Sequence, residues 1–235
     1  MELDHIATVL ALTMGVSWAS GINLYAAICM LGLMGATGNL ALPPGLEVLE
    51  NPMVIMAAAM MYMIEFFADK IPGVDTGWDV VHTFIRIPAG ALMAAGAVGE
   101  MDPAMGLVAG ILGGGLTAAT HSAKMGTRAL VNTSPEPFSN WGVSLAEDAA
   151  VIAGLWTALN HPTVFIAMMV VFIMLLIWLL PKLWRGLKKV FSTIARWFSG
   201  KGNSATSGQA EPVVQNAERS SDDQAYRHVE TEKQG

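Results

Sequence analysis

For most of the first 180 positions the chain is a succession of long apolar stretches, broken at short polar or proline-rich points: Pro43-Pro44-Gly45, Asn51-Pro52, Pro72-Gly73, Asp102-Pro103, Pro135-Glu136-Pro137 and His161-Pro162. Turn and stop residues of this kind end helices. The stretch VFIAMMVVFIMLLIWLL (164–180) approaches the roughly 20 apolar residues a helix needs to cross a hydrocarbon core. The pattern predicts an all-α fold: a polytopic transmembrane helical bundle of about six spans, near 6–33, 52–69, 80–98, 104–123, 141–159 and 162–180.

Two spans depart from a plain crossing and predict re-entrant or broken helices. Span one is longer than a perpendicular crossing needs and carries Ser17, Ser20, Gly21 and Asn23 near its middle, where a broken helix would expose backbone to a substrate. Small residues that admit a neighbouring helix are the plainer reading of the same pattern. Span two has a clean apolar run only from Met53 to Ile64, about 18 Å of helix, so it takes Glu65 and Asp69 into the membrane or stops short. After Pro181 the chain changes to KLWRGLKKVFSTIARWF (182–198). Leu183, Leu187, Val190, Ile194 and Trp197 recur at helical spacing there, with Lys182, Arg185, Lys188, Lys189 and Arg196 between them. This predicts an interfacial amphipathic helix over 182–199 on anionic lipid. Residues 200–235 lack periodicity and are expected to be a disordered tail, leaving 1–181 as the bundle.

Composition agrees: 53% of the residues are hydrophobic and 14% charged. The formal charge of −6 suggests no nucleic-acid partner. Cys29 is the single cysteine, which rules out an intrachain disulfide or a thiolate metal cage. The start, MELDH, lacks the basic segment of a cleavable signal, so the first apolar stretch is read as a span. Linkers 34–51, 99–103 and 160–162 hold no Lys or Arg, whereas Lys70, Lys124, Arg128 and the Lys182–Lys201 cluster lie on the other side. By the positive-inside rule this predicts a bacterial inner-membrane, multi-pass protein with both termini cytoplasmic. The expected partners are the bilayer itself and anionic lipid at 182–199, with homo-oligomerisation left open and no cofactor implied.

The chemistry sits where charge is least expected. Glu65, Asp69, His82, Arg86, Lys124, Glu147 and Asp148 fall within or against apolar runs, where an ionised group costs several kcal/mol unless it meets a partner, a cavity or a substrate. Glu65 and Asp69 are four apart, on one helix face. Helical rise places all these groups in one layer, the cytoplasmic third of the membrane, with Arg128 near its edge and His82 able to titrate. Carboxylates outnumber cations, so a bound cation or proton would complete the balance. The expected ion or substrate site is Glu65, Asp69, Glu147, Asp148 and Asn23, with His82, Arg86, Lys124 and Arg128 as charge partners. The hairpins are also charge-complementary. Glu65 lies thirteen residues before Trp78 and Arg86 eight after it, while Arg128 lies thirteen before Trp141, with Glu147 and Asp148 six and seven after.

The strings SGINLY (20–25), EFFADKIPGVDTGWD (65–79), HTFIRIPAGAL (82–92), KMGTRALVNTSPEPFSNW (124–141) and SLAED (144–148) resemble the signature blocks of bacterial membrane proteins catalogued as domain of unknown function 4126. The resemblance covers roughly residues 15–160 and leaves the sixth span and tail outside. It implies a membrane fold and carries no activity or catalytic residue to transfer. Arg86-Ile87-Pro88 departs from the pattern, in which Pro directly follows Arg. Three functions compete: a small cation- or proton-coupled transporter or channel, a non-catalytic scaffold whose charges are structural ion pairs, and a lipid-headgroup enzyme with a metal at Asp69, Asp75 and Asp79. The sequence has neither HExxH nor GxSxG, and a non-enzymatic role is expected.

Overall fold

A computed structural model describes residues 2–71, 73–99, 102–133 and 137–199, and it is all-helical. The elements are α1 (Glu2–Ala36), a 3₁₀ helix (Pro44–Glu50), α2 (Pro52–Ala68), α3 (Val74–Ala97), α4 (Pro103–Val131), α5 (Pro137–Asn160) and α6 (Pro162–Ser199). The predicted punctuation starts them. Pro opens the 3₁₀ helix and α2, α4, α5 and α6, at the position where a missing N–H costs nothing. Asn51 and Asp102 cap α2 and α4 by accepting from Met53 N and Ala104 N, each at 2.9 Å. Pro88 lies inside α3 and Pro181 inside α6 without ending either helix.

Five helices, α1 and α3 to α6, are long and apolar enough to cross a membrane, and the 3₁₀ helix with α2, bent by 69°, makes a sixth candidate. The chain is a multi-pass membrane protein. Met1–Val190 group as one compact unit and Phe191–Gly235 as another, of which only the end of α6 is described. Lys182, Arg185 and Lys188 are exposed. The predicted apolar stripe (Leu183, Leu187, Val190, Ile194, Trp197) and the tail 200–235 lie outside the described side chains.

α1 is not one crossing. Asn23 has φ −145° and ψ 95°, an extended conformation that separates two helices. In the first half, Gly15 packs on Ala158, the Ser17 carbonyl accepts from Thr117 Oγ1 (2.8 Å), and Gly21 lies against Thr117 and His121, so this half runs parallel to α4. In the second half, Tyr25 meets His82 edge-on, Leu31 clusters with Met93 and Ala97, and Gly32 backs onto Leu49, so the direction is that of α3. Since α3 and α4 are antiparallel, with Gly90 on Thr117 and Gly113 on Ala94, the two halves of α1 are antiparallel too. They form a hairpin that dips into the bundle and returns. His5 and Ile6 share a groove with Val98 and Met105, at the end of the bundle holding the α3–α4 turn. α6 starts beside Gly15 and Trp18 at Phe165 and leads to the opposite end. The break expected in the first span is present, whereas the expectation that both termini lie on one side is corrected: the N-terminal residues lie at the end of the bundle opposite to that reached by α6.

Close backbone approach holds the hairpin in place. A Cβ on Gly21 would sit 2.7 Å from the Thr117 carbonyl oxygen, and one on Gly32 would sit 2.3 Å from that of Leu49. Two apolar clusters flank it. Trp18, Ile22 and Ala27 pack with Val151, Leu155 and Phe165 on one side, and Val16, Leu24 and Leu31 with Leu46 and Met93 on the other.

Candidate functional site

The break in α1 exposes the ends of two half-helices inside the protein. The last carbonyls of a helix lack partners and carry partial negative charge. Here the Ile22 carbonyl accepts from Arg86 Nη1 (2.8 Å) and Lys124 Nζ (2.9 Å), so two cations cap the first half. Asn23 begins the second half. Its Oδ1 accepts from Ala26 N (3.0 Å), an N-cap, and its Nδ2 donates to Asp148 Oδ1 (2.9 Å). A carboxylate therefore faces the positive end of the second half. Ser20, Gly21 and Asn23, whose plainer reading was helix packing, do both jobs: Gly21 packs and Asn23 breaks the helix.

Around this point the charges of α2 to α5 converge. Arg86, fully buried, ion-pairs through Nη2 with Glu65 Oε1 and lies 3.4 Å from Asp79 Oδ1. Lys124 Nζ lies within reach of four carboxylates: Asp69 Oδ2 (3.2 Å), Glu65 Oε1 (3.3 Å), Glu147 Oε2 (3.6 Å) and Asp79 Oδ1 (3.7 Å). Arg128 Nη2 holds Glu147 Oε2 (2.5 Å) and Asp69 Oδ2 (2.9 Å), while its Nη1 donates to the Asp69 carbonyl (2.7 Å) and Asn140 Oδ1 (3.0 Å) and is 3.8 Å from Asp75 Oδ2. Arg128 was expected near the edge of the layer; it is fully buried. The charge-complementary hairpins close as pairs, Glu65 with Arg86 and Arg128 with Glu147. They are cross-linked through Lys124 and Asp69.

All the expected site residues lie in this layer. His82 alone is not a charge partner: its Nδ1–H donates to the Trp78 carbonyl (2.9 Å), and its ring stacks on Trp78 at 4.2 Å. Sequence reasoning missed several members. Asp75 and Asp79, placed at the surface as metal donors, are fully buried, and Asp75 accepts from Asn132 Nδ2 at 2.9 Å. His121 Nε2–H donates to Thr83 Oγ1 (2.8 Å) and the Asp79 carbonyl (3.1 Å), which assigns the tautomer. Among the described residues no group of three or more His, Cys, Asp and Glu side chains is arranged to hold a metal ion. Helical spacing could have found these members. Asp79, His82 and Arg86 share a face, as do His121, Lys124 and Arg128, and Asn140, Ser144, Glu147 and Asp148.

Charge does not balance within the layer. Five ion-paired carboxylates (Glu65, Asp69, Asp75, Asp79, Glu147) meet three cations (Arg86, Lys124, Arg128), a formal excess of two negative charges. Glu65 Oε2, Asp69 Oδ1, both Asp79 oxygens and Asp148 Oδ2 receive no hydrogen bond from the protein. Buried polar atoms without partners are costly, and they are places where a proton, water or ion binds.

Comparison with curated proteins and with solved structures finds no match. A family model matches residues 10–182, which includes the sixth span that the sequence resemblance left outside. A match over that much of the chain, carrying the break, the layer and every helix of the bundle, shows that the protein belongs to the family described as Domain of unknown function (DUF4126).

Proposed function

We propose that the protein is a small cation- or proton-coupled transporter or channel of a bacterial inner membrane, with Glu65, Asp69, Glu147, Asp148 and Asn23 as its ion site. The observation that carries this reading is the broken α1, whose two half-helix ends meet a buried layer with more carboxylates than cations. Discontinuous helices place dipole ends and free backbone groups at ion sites in secondary transporters. The test is flux: purified protein in liposomes should move protons or a small cation down an imposed gradient, and Glu65→Gln and Glu147→Gln should abolish that movement while keeping most of the thermal stability.

The second reading is a scaffold, favoured by the density of pairing: five of the carboxylates already touch a cation. On that reading both variants lose stability and the wild-type protein moves no common mono- or divalent cation.

In the membrane, the end of the bundle with Lys70, Lys182 and Arg185 faces the cytoplasm, and the N-terminal hairpin opens to the other side. With Cys29→Ser as background, Leu3→Cys and Thr37→Cys should both label from outside intact cells, and Thr133→Cys only after permeabilisation. Labelling of positions 3 and 37 from opposite faces would show that α1 crosses once. A peptide of residues 181–199 should become helical on anionic vesicles, and equal binding to neutral ones would remove charge from the account.

A further inference from the structure

Of the six carboxylates in the layer, Asp148 alone makes no ion pair among the described residues. Its side chain is 8% exposed, Oδ1 takes one hydrogen bond from Asn23 Nδ2 at 2.9 Å, and Oδ2 takes none. One turn earlier on the same face of α5, Ser144 is 1% exposed and its hydroxyl is also without a partner. The groups nearest this buried carboxylate, the Asn23 amide and the Tyr62 hydroxyl, are neutral, no cation among the described residues pairs with it, and the smallest ligand that completes it is a proton. Two side-chain oxygens are too few for a cation cage, which for hard ions takes about six or more.

Resting on the transporter reading above, we infer that the exchangeable ligand is a proton and that, within that site, Asp148 is the group that binds it. The step is a simple association: H⁺ adds to Oδ2, a carboxylic acid forms, and the Asn23 Nδ2–H bond to Oδ1 is kept. The groups facing Asp148 are Asn23 from α1, Tyr62 and Asp69 from α2, Lys70 just after α2, Lys124 from α4, and Ser144 and Glu147 on its own helix. Protonation removes the negative charge that faces the N-terminus of the second half of α1, weakening that attraction. Occupancy is thereby coupled to the break.

Infrared difference spectra of the full-length protein in lipid, recorded while pH is stepped, test this. A carboxylic-acid carbonyl band should grow as pH falls, vanish in Asp148→Asn, and reappear at shifted frequency in Asp148→Glu. If Asp148→Asn does not fold, Asn23→Ala, which deletes the one donor to Oδ1, should shift the band. A titrating band untouched by any of these substitutions, or no band, overturns the inference. Proton flux measured on the same vesicles separates it from the transporter reading: an Asp148 band without flux keeps the proton site and removes transport, and flux without that band does the reverse.

Discussion

Arg86→Gln is expected to cost about 3–5 kcal/mol of stability, the largest effect of any single charge removal in this protein. Arg86 is fully buried and holds three things at once: Glu65, Asp79 and the Ile22 carbonyl at the end of the first half of α1. Its removal leaves Lys124 as the one cation beside Glu65 and Asp79, two buried carboxylates of whose four oxygens three already lack donors, in a layer that already carries excess negative charge. Gln restores some hydrogen bonding and no charge. Thermal unfolding in detergent or lipid, beside Arg86→Lys, reads the difference. Lys keeps the charge and loses the fork that reaches Glu65 and Ile22 together, so it should fall between the two. A loss under 1 kcal/mol for Arg86→Gln would mean that water reaches the pair and that the layer is not dry.

The second large effect is steric. Gly21→Ala is expected to cost about 1–3 kcal/mol, because the new Cβ would lie 2.7 Å from the Thr117 carbonyl oxygen and 2.7 Å from Thr120 Cβ, the first being backbone that no rotamer change can clear. The first half of α1 would have to move off α4, carrying the Ile22 carbonyl away from Lys124. Gly115→Ala is the control. In the same Gly-rich part of α4, Gly115 has nothing within 4 Å of a Cβ, so Ala should stabilise by about 0.5–1 kcal/mol through its better helix propensity. Melting curves of the two variants should shift in opposite directions.

Helix number, order and starts were legible because proline, asparagine and aspartate act locally: Asn51-Pro52 and Asp102-Pro103 open helices in any context. The charged layer was legible because Glu65, Arg86, Lys124 and Glu147 have no plausible solvent side. What hydropathy could not supply was direction. A hairpin of two half-helices and one long span have the same apolar composition, and only the contacts of Gly15, Tyr25 and Gly32 distinguish them. The roles of Asp75 and Asp79 were lost for a related reason. Beside Pro72-Gly73 they read as surface donors, whereas α4 extends past them: Lys124 reaches Asp79, and Arg128 and Asn132 reach Asp75. His121 drew no notice because a lone histidine in an apolar helix reads as core.

The hairpin also sets a problem of timing during synthesis. α1 leaves the ribosome before α3, α4 and α5, and the groups that satisfy its break come much later: Arg86 is 64 residues beyond Ile22, Lys124 is 102 beyond it, and Asp148 is 125 beyond Asn23. At roughly 5–20 residues per second, that last interval is on the order of 6–25 s. Until then an uncapped carbonyl and an unpaired amide would face lipid, at several kcal/mol each. The nascent hairpin therefore waits at the membrane surface or within the insertion machinery, and seats itself among α3, α4 and α5 only after those helices are in place. A segment made before its partners is folded after them.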